Sequence, residues 1–514
     1  MVASRREFVS KLLAAPLATI PASKLFPSFA FSSSDDLRQR LAADPLRPQF
    51  HLLPAKNWMN DPNGPIFWNG MYHMFFQYNP NAAVWGDMHW AHAVSPDMIH
   101  WRHLPIALAP TPGWADADGC FTGSAVDDRG TASIVYTGVK SSTPETATLR
   151  DGTHTFREVQ CLATSADAQL RTWTKWKNPI IEPPADPLLT GFRDPFLWRD
   201  RQVWYLGVGS GIRKQGGRVL LYRSKNLRQW EYLHPLVSGK WTGRESTNPV
   251  DSGEMWECPD FFPLGSKHVL LYSSAGKVIW ETGDLDPKDL VFHSLRSGVL
   301  DQGAYYAQKT QLDTKGNRIL WGWIPETRPE AEFSMAGWAG CMALPRVLTL
   351  NAQNDLEMRV APVAQLLRQR KLATVTSQTS SEVRSGAIRS LAIQNVAGEL
   401  LWKTAPGPSS LTIRDSAGPW WSVEVAQPGA NTVLRVNDKA IELRANSASE
   451  TRFHLLLDAS VAEFFCNDLH VVTSRIYRKP DGALRMQMND PDGSAIKELE
   501  AWQLRAISAD RLTA

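Results

Sequence analysis

The sequence predicts an all-β protein: a five-bladed β-propeller followed by a C-terminal β-sandwich. Three observations predict it. A strand–turn–strand unit recurs along the first two thirds of the chain. A short motif ending in tryptophan recurs late in those units, and the last third reads as short alternating strands.

Residues 1–30 read as a targeting segment. Ser4-Arg5-Arg6-Glu7-Phe8-Val9 precedes a modestly apolar run over 12–21, and a twin arginine ahead of a weak hydrophobic stretch resembles a bacterial Tat export signal. Ser28-Phe29-Ala30 is a candidate cleavage site, with Pro21-Ala22-Ser23 in competition; a disordered basic N-terminus is the alternative reading. Beyond it no stretch reaches the ~18 consecutive apolar residues of a membrane helix. The mature chain is therefore expected to be soluble, periplasmic or secreted, with no membrane partner.

The propeller is expected over 46–355. Its units open at Asp61-Pro62-Asn63-Gly64-Pro65-Ile66-Phe67-Trp68, at residue 121, at Asp194-Pro195-Phe196-Leu197-Trp198, at Glu257-Cys258-Pro259-Asp260-Phe261-Phe262 and at residue 306. Each apolar stretch turns into a second one, at Asn69-Gly70, 127–130, Arg199-Asp200, Gly265-Ser266 and Lys315-Gly316. The later marker Ser95-Pro96-Asp97-Met98-Ile99-His100-Trp101 returns as Leu170-Arg171-Thr172-Trp173 and as Ser224-Lys225-Asn226-Leu227-Arg228-Gln229-Trp230. Five units of roughly 50–70 residues, each holding several short strands, fit five blades. A large irregular sandwich is the competing architecture.

Pro362 suits the first position of a helix, expected as a linker over 361–373, and the Ser/Thr-rich 377–385 reads as a loop. The second domain is expected over 385–510. There Val423-Glu424-Val425 and Ile441-Glu442-Leu443 alternate with period two, as strands with one wet face do, which points to a sandwich.

Composition narrows the function. The chain has 514 residues, enough for at least two cored domains, and a formal net charge of +3 without a long basic run, which argues against a nucleic-acid partner. Most of the 21 Trp suit the core of a large β-protein, and an indole face also stacks on the apolar face of a sugar ring. Cys120, Cys161, Cys258, Cys341 and Cys466 are odd in number and widely spaced, so neither a zinc site nor a disulfide framework is expected. That agrees with folding in a reducing cytosol before export.

Asp61, Asp194 and Glu257 each stand at the start of a unit's first apolar strand. In a propeller that strand lies at the central channel, so acids repeated there converge although distant in sequence. Clustered carboxylates repel: one becomes hard to ionise while another stays charged. Glycoside hydrolysis uses that pair of states. Taken singly, Asp61-Pro62-Asn63-Gly64 also reads as a β-turn and Arg193-Asp194-Pro195 as a surface turn with an ion pair.

The chain resembles glycoside hydrolase family 32, the invertases, levanases, inulinases and fructan exohydrolases. The resemblance rests on Trp58-Met59-Asn60-Asp61-Pro62-Asn63-Gly64, Phe76-Gln77-Tyr78-Asn79-Pro80, Phe192-Arg193-Asp194-Pro195 and Trp256-Glu257-Cys258-Pro259-Asp260. Gly337-Trp338-Ala339-Gly340, Leu344-Pro345-Arg346 and Asp458-Ala459-Ser460-Val461-Ala462-Glu463-Phe464-Phe465 extend it over residues 51 to 478. It implies a propeller plus sandwich and a retaining exo-β-fructosidase acting on levan, inulin or sucrose. In that reading Asp61 is the nucleophile, Glu257 the acid/base, and Asp194 the stabiliser of the transition state. Arg193 would keep Asp194 ionised. Asn60, Gln77, Trp85, Phe121, Thr122, Tyr306 and Trp323 would line the fructose pocket.

Departures from the family pattern are few. Thr122 replaces Ser and keeps the hydroxyl, Tyr305 replaces Phe, and Asp87 stands where Asn is common. The resemblance implies no metal or organic cofactor; a monomer is expected, and Cys258 is read as a packing residue tuning Glu257. Gly207-Val208-Gly209-Ser210-Gly211 lacks the helix and Lys-Ser/Thr of a phosphate loop. His89 and His92, three apart in an expected strand, face opposite ways and read as structural. A fructosyltransferase would use the same three carboxylates. A non-catalytic sugar-binding protein would lack the nucleophile or the acid, and both are present here.

Overall fold

Five antiparallel sheets follow one another along the chain, and each begins with an inner strand broken by a bulge. These inner strands are Asn57–Trp68, Gly119–Asp128, Leu189–Asp200, Glu257–Leu264 and Tyr306–Leu312. Each packs against the next, and the fifth packs against the first, which closes a ring. A short strand, Trp338–Ala339, adds in parallel to Asn57 and Trp58 and ties the last blade to the first. The protein is a five-bladed β-propeller followed by a β-sandwich. The computed structural model describes residues 34–427, 432–443, 450–488 and 495–513, so the expected signal segment lies outside the described residues.

Turn chemistry explains the hairpins. Asn69 and Gly70, at φ 46° and 81°, form a two-residue turn that closes Trp68 onto Met71, the geometry Asn-Gly favours because its backbone twist matches the strands. The tryptophan marker is the turn from third to fourth strand. In the first blade Asp97 Oδ1 accepts the N–H groups of Ile99 and His100, Met98 is left-handed at 68°, and the Trp101 indole donates to Met98 O. Asn226, Leu227 and Trp230 repeat it, as do Asp167, Leu170 and Trp173. Two copies escaped sequence reading because they lack the tryptophan: Asp286 with Leu290, and Asn351 with Asn354.

The bulges position the site. In every inner strand two residues oppose one on the neighbouring strand. The unpaired couples are Asn60 and Asp61, Phe121 and Thr122, Asp194 and Pro195, Cys258 and Pro259, and Ala307 and Gln308. A bulge bends the strand and re-aims its side chains. This corrects the expectation that the three acids sit at equivalent strand starts. Glu257 precedes its couple, Asp194 is the first member of one, and Asp61 is the second. Asp194, Cys258 and Ala307, all first members, take left-handed φ of 65°, 49° and 54°.

Among the described residues the sandwich consists of two six-stranded sheets. Trp402, Trp421, Phe453 and Phe464 meet in its core. The helix expected over 361–373 is a single 3-10 segment, Pro362–Leu367, after which Arg368–Val375 joins the sandwich as an edge strand against Ile496–Leu504. Pro362 does open a helical turn, but pairing with that strand near the C-terminus turns the chain extended directly after it. The stretch read as a loop instead contains the helix Ser381–Ser390, capped by the Ser380 hydroxyl accepting from Val383 N–H.

Propeller and sandwich meet over a buried ionic cluster. Arg346 donates to Glu463 (2.6 and 3.2 Å), Asp301 (3.0 Å) and Thr473 (2.8 Å). His51 sits between Asp458 (2.7 Å) and Glu463 (2.9 Å). Asp458 also accepts the backbone N–H groups of Gln49, Phe50 and His51. The Asp458–Phe465 motif thus serves the domain junction.

Candidate active site

Side chains from all five blades meet where the bulges face the ring axis. From the first blade, Asp61 takes hydrogen bonds on both oxygens: Asn60 Nδ2 donates to Oδ1 (2.9 Å) and Thr122 Oγ1, from the second blade, to Oδ2 (2.5 Å). Trp58 Nε1 orients Asn60 at 2.8 Å. The hydroxyl of Thr122 is what this contact requires. From the third blade, Asp194 Oδ2 accepts the backbone N–H of Cys258 at 2.9 Å, and its own N–H donates to Thr137 Oγ1. The Cys258 thiol lies 3.4 Å from Oδ2 of both Asp61 and Asp194 and so joins those two acids.

Glu257, from the fourth blade, lies under different donors. Arg193 Nε and Nη2 reach its Oε1 at 3.1 and 2.9 Å, and the Tyr306 hydroxyl, from the fifth blade, reaches Oε2 at 2.9 Å. Burial, reinforced by the charge of Glu257, pushes the Tyr306 phenol well above its usual pKa, so it acts as a neutral donor. Arg193 donates to Glu257 and Glu158, and it also interacts with Asp194 through charge, as expected from their adjacency in the chain. Asp61, Asp194 and Glu257 are each 0 % exposed, in a low-dielectric setting that strengthens every one of these interactions.

The remaining expected residues fall into two groups. Gln77 stands opposite the first bulge and donates to Cys120 O, while Trp323 pairs with Tyr306 across the fifth blade. Gln77 Oε1, Trp323 Nε1 and Trp85 Nε1 are buried with no protein partner, the kind of atom a sugar hydroxyl satisfies. Trp85 and Phe121 form an edge-to-face pair, with ring centroids 6.0 Å apart; Trp85 also meets His154 at 5.1 Å. Asp87 is exposed, accepts from Asn81 Nδ2 at 3.0 Å, and has a left-handed φ of 46°.

Sequence reading missed Glu158, His154 and Asp151. Asp151 holds the His154 ring, which stacks on Phe156 at 5.2 Å beside Trp85. None lies in a motif; the signal available for Glu158 was an acid inside the apolar alternation of its strand. His73 and His92 are hydrogen-bonded to each other in the first blade, and burial lowers both pKa values, that of His73 to about 4. Among the described residues no group of three or more His, Cys, Asp or Glu is arranged to hold a metal ion. Nor is any helix there long and apolar enough to cross a membrane.

One carboxylate cradled by neutral donors and a second under a guanidinium and a phenol, both at the axis of a propeller, are the equipment of a glycoside hydrolase. The family models agree: "Glycosyl hydrolases family 32 N-terminal domain" matches residues 51–362 and "Glycosyl hydrolases family 32 C terminal" residues 421–503. The chain belongs to glycosyl hydrolase family 32. It is 32% identical over 506 residues to a sucrose-6-phosphate hydrolase of Zymomonas mobilis, covering 91% of this chain and 94% of that one. To a raffinose invertase of Escherichia coli it is 34% identical over 464 residues, covering 84% and 90%. Among solved structures, fructan 1-exohydrolase IIa from Cichorium intybus superposes with a TM-score of 0.73 at 27% identity, covering 90% and 98%.

Proposed function

We propose that the protein is an exported, retaining exo-β-fructosidase, active as a monomer, that releases terminal fructose from fructans or sucrose. Sucrose, raffinose and fructans, the sugars in the relatives' names, share one unit, a terminal β-fructofuranosyl group, and that shared unit is the substrate feature this pocket is assigned. The observation that carries the reading is that Asp61, Asp194 and Glu257, from three blades, are held in one buried hydrogen-bonded group joined by Cys258 and Arg193.

The chemistry follows from that arrangement. Asn60 and Thr122 fix the Asp61 carboxylate by both oxygens, and it bonds to the anomeric carbon as the glycosidic C–O bond breaks. Glu257 gives its proton to the departing oxygen. It then removes a proton from water, whose oxygen displaces Asp61 and restores both acids. Asp194 accepts hydrogen bonds from the ring hydroxyls and faces the positive charge that develops on the ring.

Initial rates on levan, inulin, sucrose and raffinose, with the anomer of the first-released fructose followed by NMR, test this directly. β-Fructose as the first product is expected; α-fructose would exclude the double displacement. Net growth of oligosaccharides at high sucrose would instead make the protein a fructosyltransferase. Glu257→Ala should slow substrates with poor leaving groups most, and a uniform loss would remove Glu257 from acid catalysis.

A further inference from the structure

Arg193 divides its guanidinium between two carboxylates. Nε and Nη2 serve Glu257, while Nη1 donates to Glu158 Oε1 at 2.8 Å. Glu158 lies within the strand Thr155–Ser165 of the second blade and is 0 % exposed. Its other oxygen accepts the N–H of Phe192 at 2.7 Å and the hydroxyl of Thr148 at 2.9 Å. Both carboxylate oxygens are thus occupied by donors, one of them the guanidinium. A buried anion of this kind is costly unless its partner needs it.

Several groups face Glu257 besides Arg193. Asp194 comes from the same strand as Arg193, Cys258 from Glu257's own strand, and Tyr306 from the fifth blade. Asp61 reaches the group through the Cys258 thiol, and Asp251 acts on Tyr306. Lys309 touches the carbonyls of Pro195 and Pro259, next to Asp194 and Cys258. Burial works against the charge of Arg193, but Glu158, Glu257 and Asp194 outweigh it and hold the guanidinium protonated throughout. A single fork that bonded only Glu257 would keep that acid ionised and useless as a proton donor.

We propose that Glu158 is a positioning residue that sets the proton affinity of Glu257. In its ion pair with Arg193 it takes up one arm of the guanidinium and sets a negative field beside it, which favours the protonated form of Glu257. The inference rests on the acid/base role of Glu257 proposed above.

Glu158→Gln keeps the shape and an acceptor while deleting the charge. The alkaline limb of kcat/KM on sucrose should move to lower pH by about one unit or more, the size of effect a neighbouring charge has. Above the shifted limb the loss on sucrose should be about tenfold, and several-fold smaller on β-fructofuranosyl fluoride, whose leaving group needs little protonation. Thr148→Val removes a donor that partly offsets the Glu158 charge and leaves the charge itself, so it should move the limb the other way, to higher pH, by less; should Glu158→Gln not fold, a limb that stays in place or falls in Thr148→Val overturns the proposal. A limb that stays in place, with equal losses on both substrates, would mean a structural role and overturn the proposal. Glu257→Gln separates the two readings. If that variant keeps the limb, the acid assignment fails; if it loses the limb while Glu158→Gln leaves it unmoved, only the role of Glu158 fails.

Discussion

A buried charge cluster at the propeller axis and another at the junction with the sandwich are built to opposite ends. At the junction Asp458 is met by three backbone N–H groups and His51, and Glu463 by His51, Arg346 and the N–H of Leu344. Every acid there is answered within the protein. At the axis Glu257, Glu158 and Asp194 share the charge of Arg193, and the donors to Asp61 are neutral. Satisfied charge fixes two domains in one arrangement; acid in excess leaves a proton to be moved. Burial alone distinguishes neither, since both clusters are closed to solvent.

Variants at the two clusters should therefore fail differently. Asp61→Asn should lower kcat by on the order of 10⁴-fold or more, as loss of a nucleophile does, with the melting temperature nearly unchanged. Activity near that of the wild type would take Asp61 out of the nucleophile's role. Arg346→Met takes the guanidinium from both Asp301 and Glu463, leaving Glu463 only His51 as a cation, and should cost about 3–5 kcal/mol of stability in urea titrations, while KM of the folded fraction stays put. A selective loss of catalysis there would erase the distinction drawn between the clusters.

The pH dependence sharpens it further. Burial opposes the charge of His51, yet Asp458 and Glu463 raise its pKa from 6.5 to about 9. Its contribution to stability is complete below 6.5 and disappears as pH climbs through about 9. Burial would lift Glu463, but Arg346 and His51 win and lower it from 4.5 to about 2, so its contribution holds above 4.5 and is lost as pH falls through about 2. The deficit of His51→Gln in thermal melts should accordingly be greatest between those windows, near pH 5–6.5, and shrink by pH 9. A constant deficit across that range would show His51 to be neutral in the fold. The smallest effect belongs to the surface: Arg223→Ala removes an exposed pair with Glu231 and should leave the melting temperature indistinguishable from that of the wild type.

Much of the site was legible before the fold was known. Asn60, Asp61, Phe121, Thr122, Arg193, Asp194, Glu257 and Tyr306 all fall within one residue of a bulge. Pro195 and Pro259 mark two of those bulges in the chain itself, because proline has no N–H to offer a ladder. What stayed hidden was the offset: a bulge lets neighbouring blades present successive positions to one axis, so identical-looking motifs aim their acids from different registers.

Local chemistry is what the chain wrote into its own order. The alternation that makes strands, the Asx turns between them, the Asn-Gly hairpin and the acids beside proline all depend on residues within a few positions of one another, and each could be read there. Glu158 on Arg193, the pairing of Arg368–Val375 with Ile496–Leu504, and the meeting of His51 with Asp458 depend on contacts dozens to hundreds of residues apart. Such contacts exist only once blades and sheets have closed, because a side chain's partner in a β-fold is set by which strand arrives beside it. Tertiary closure alone decided how the charges are shared.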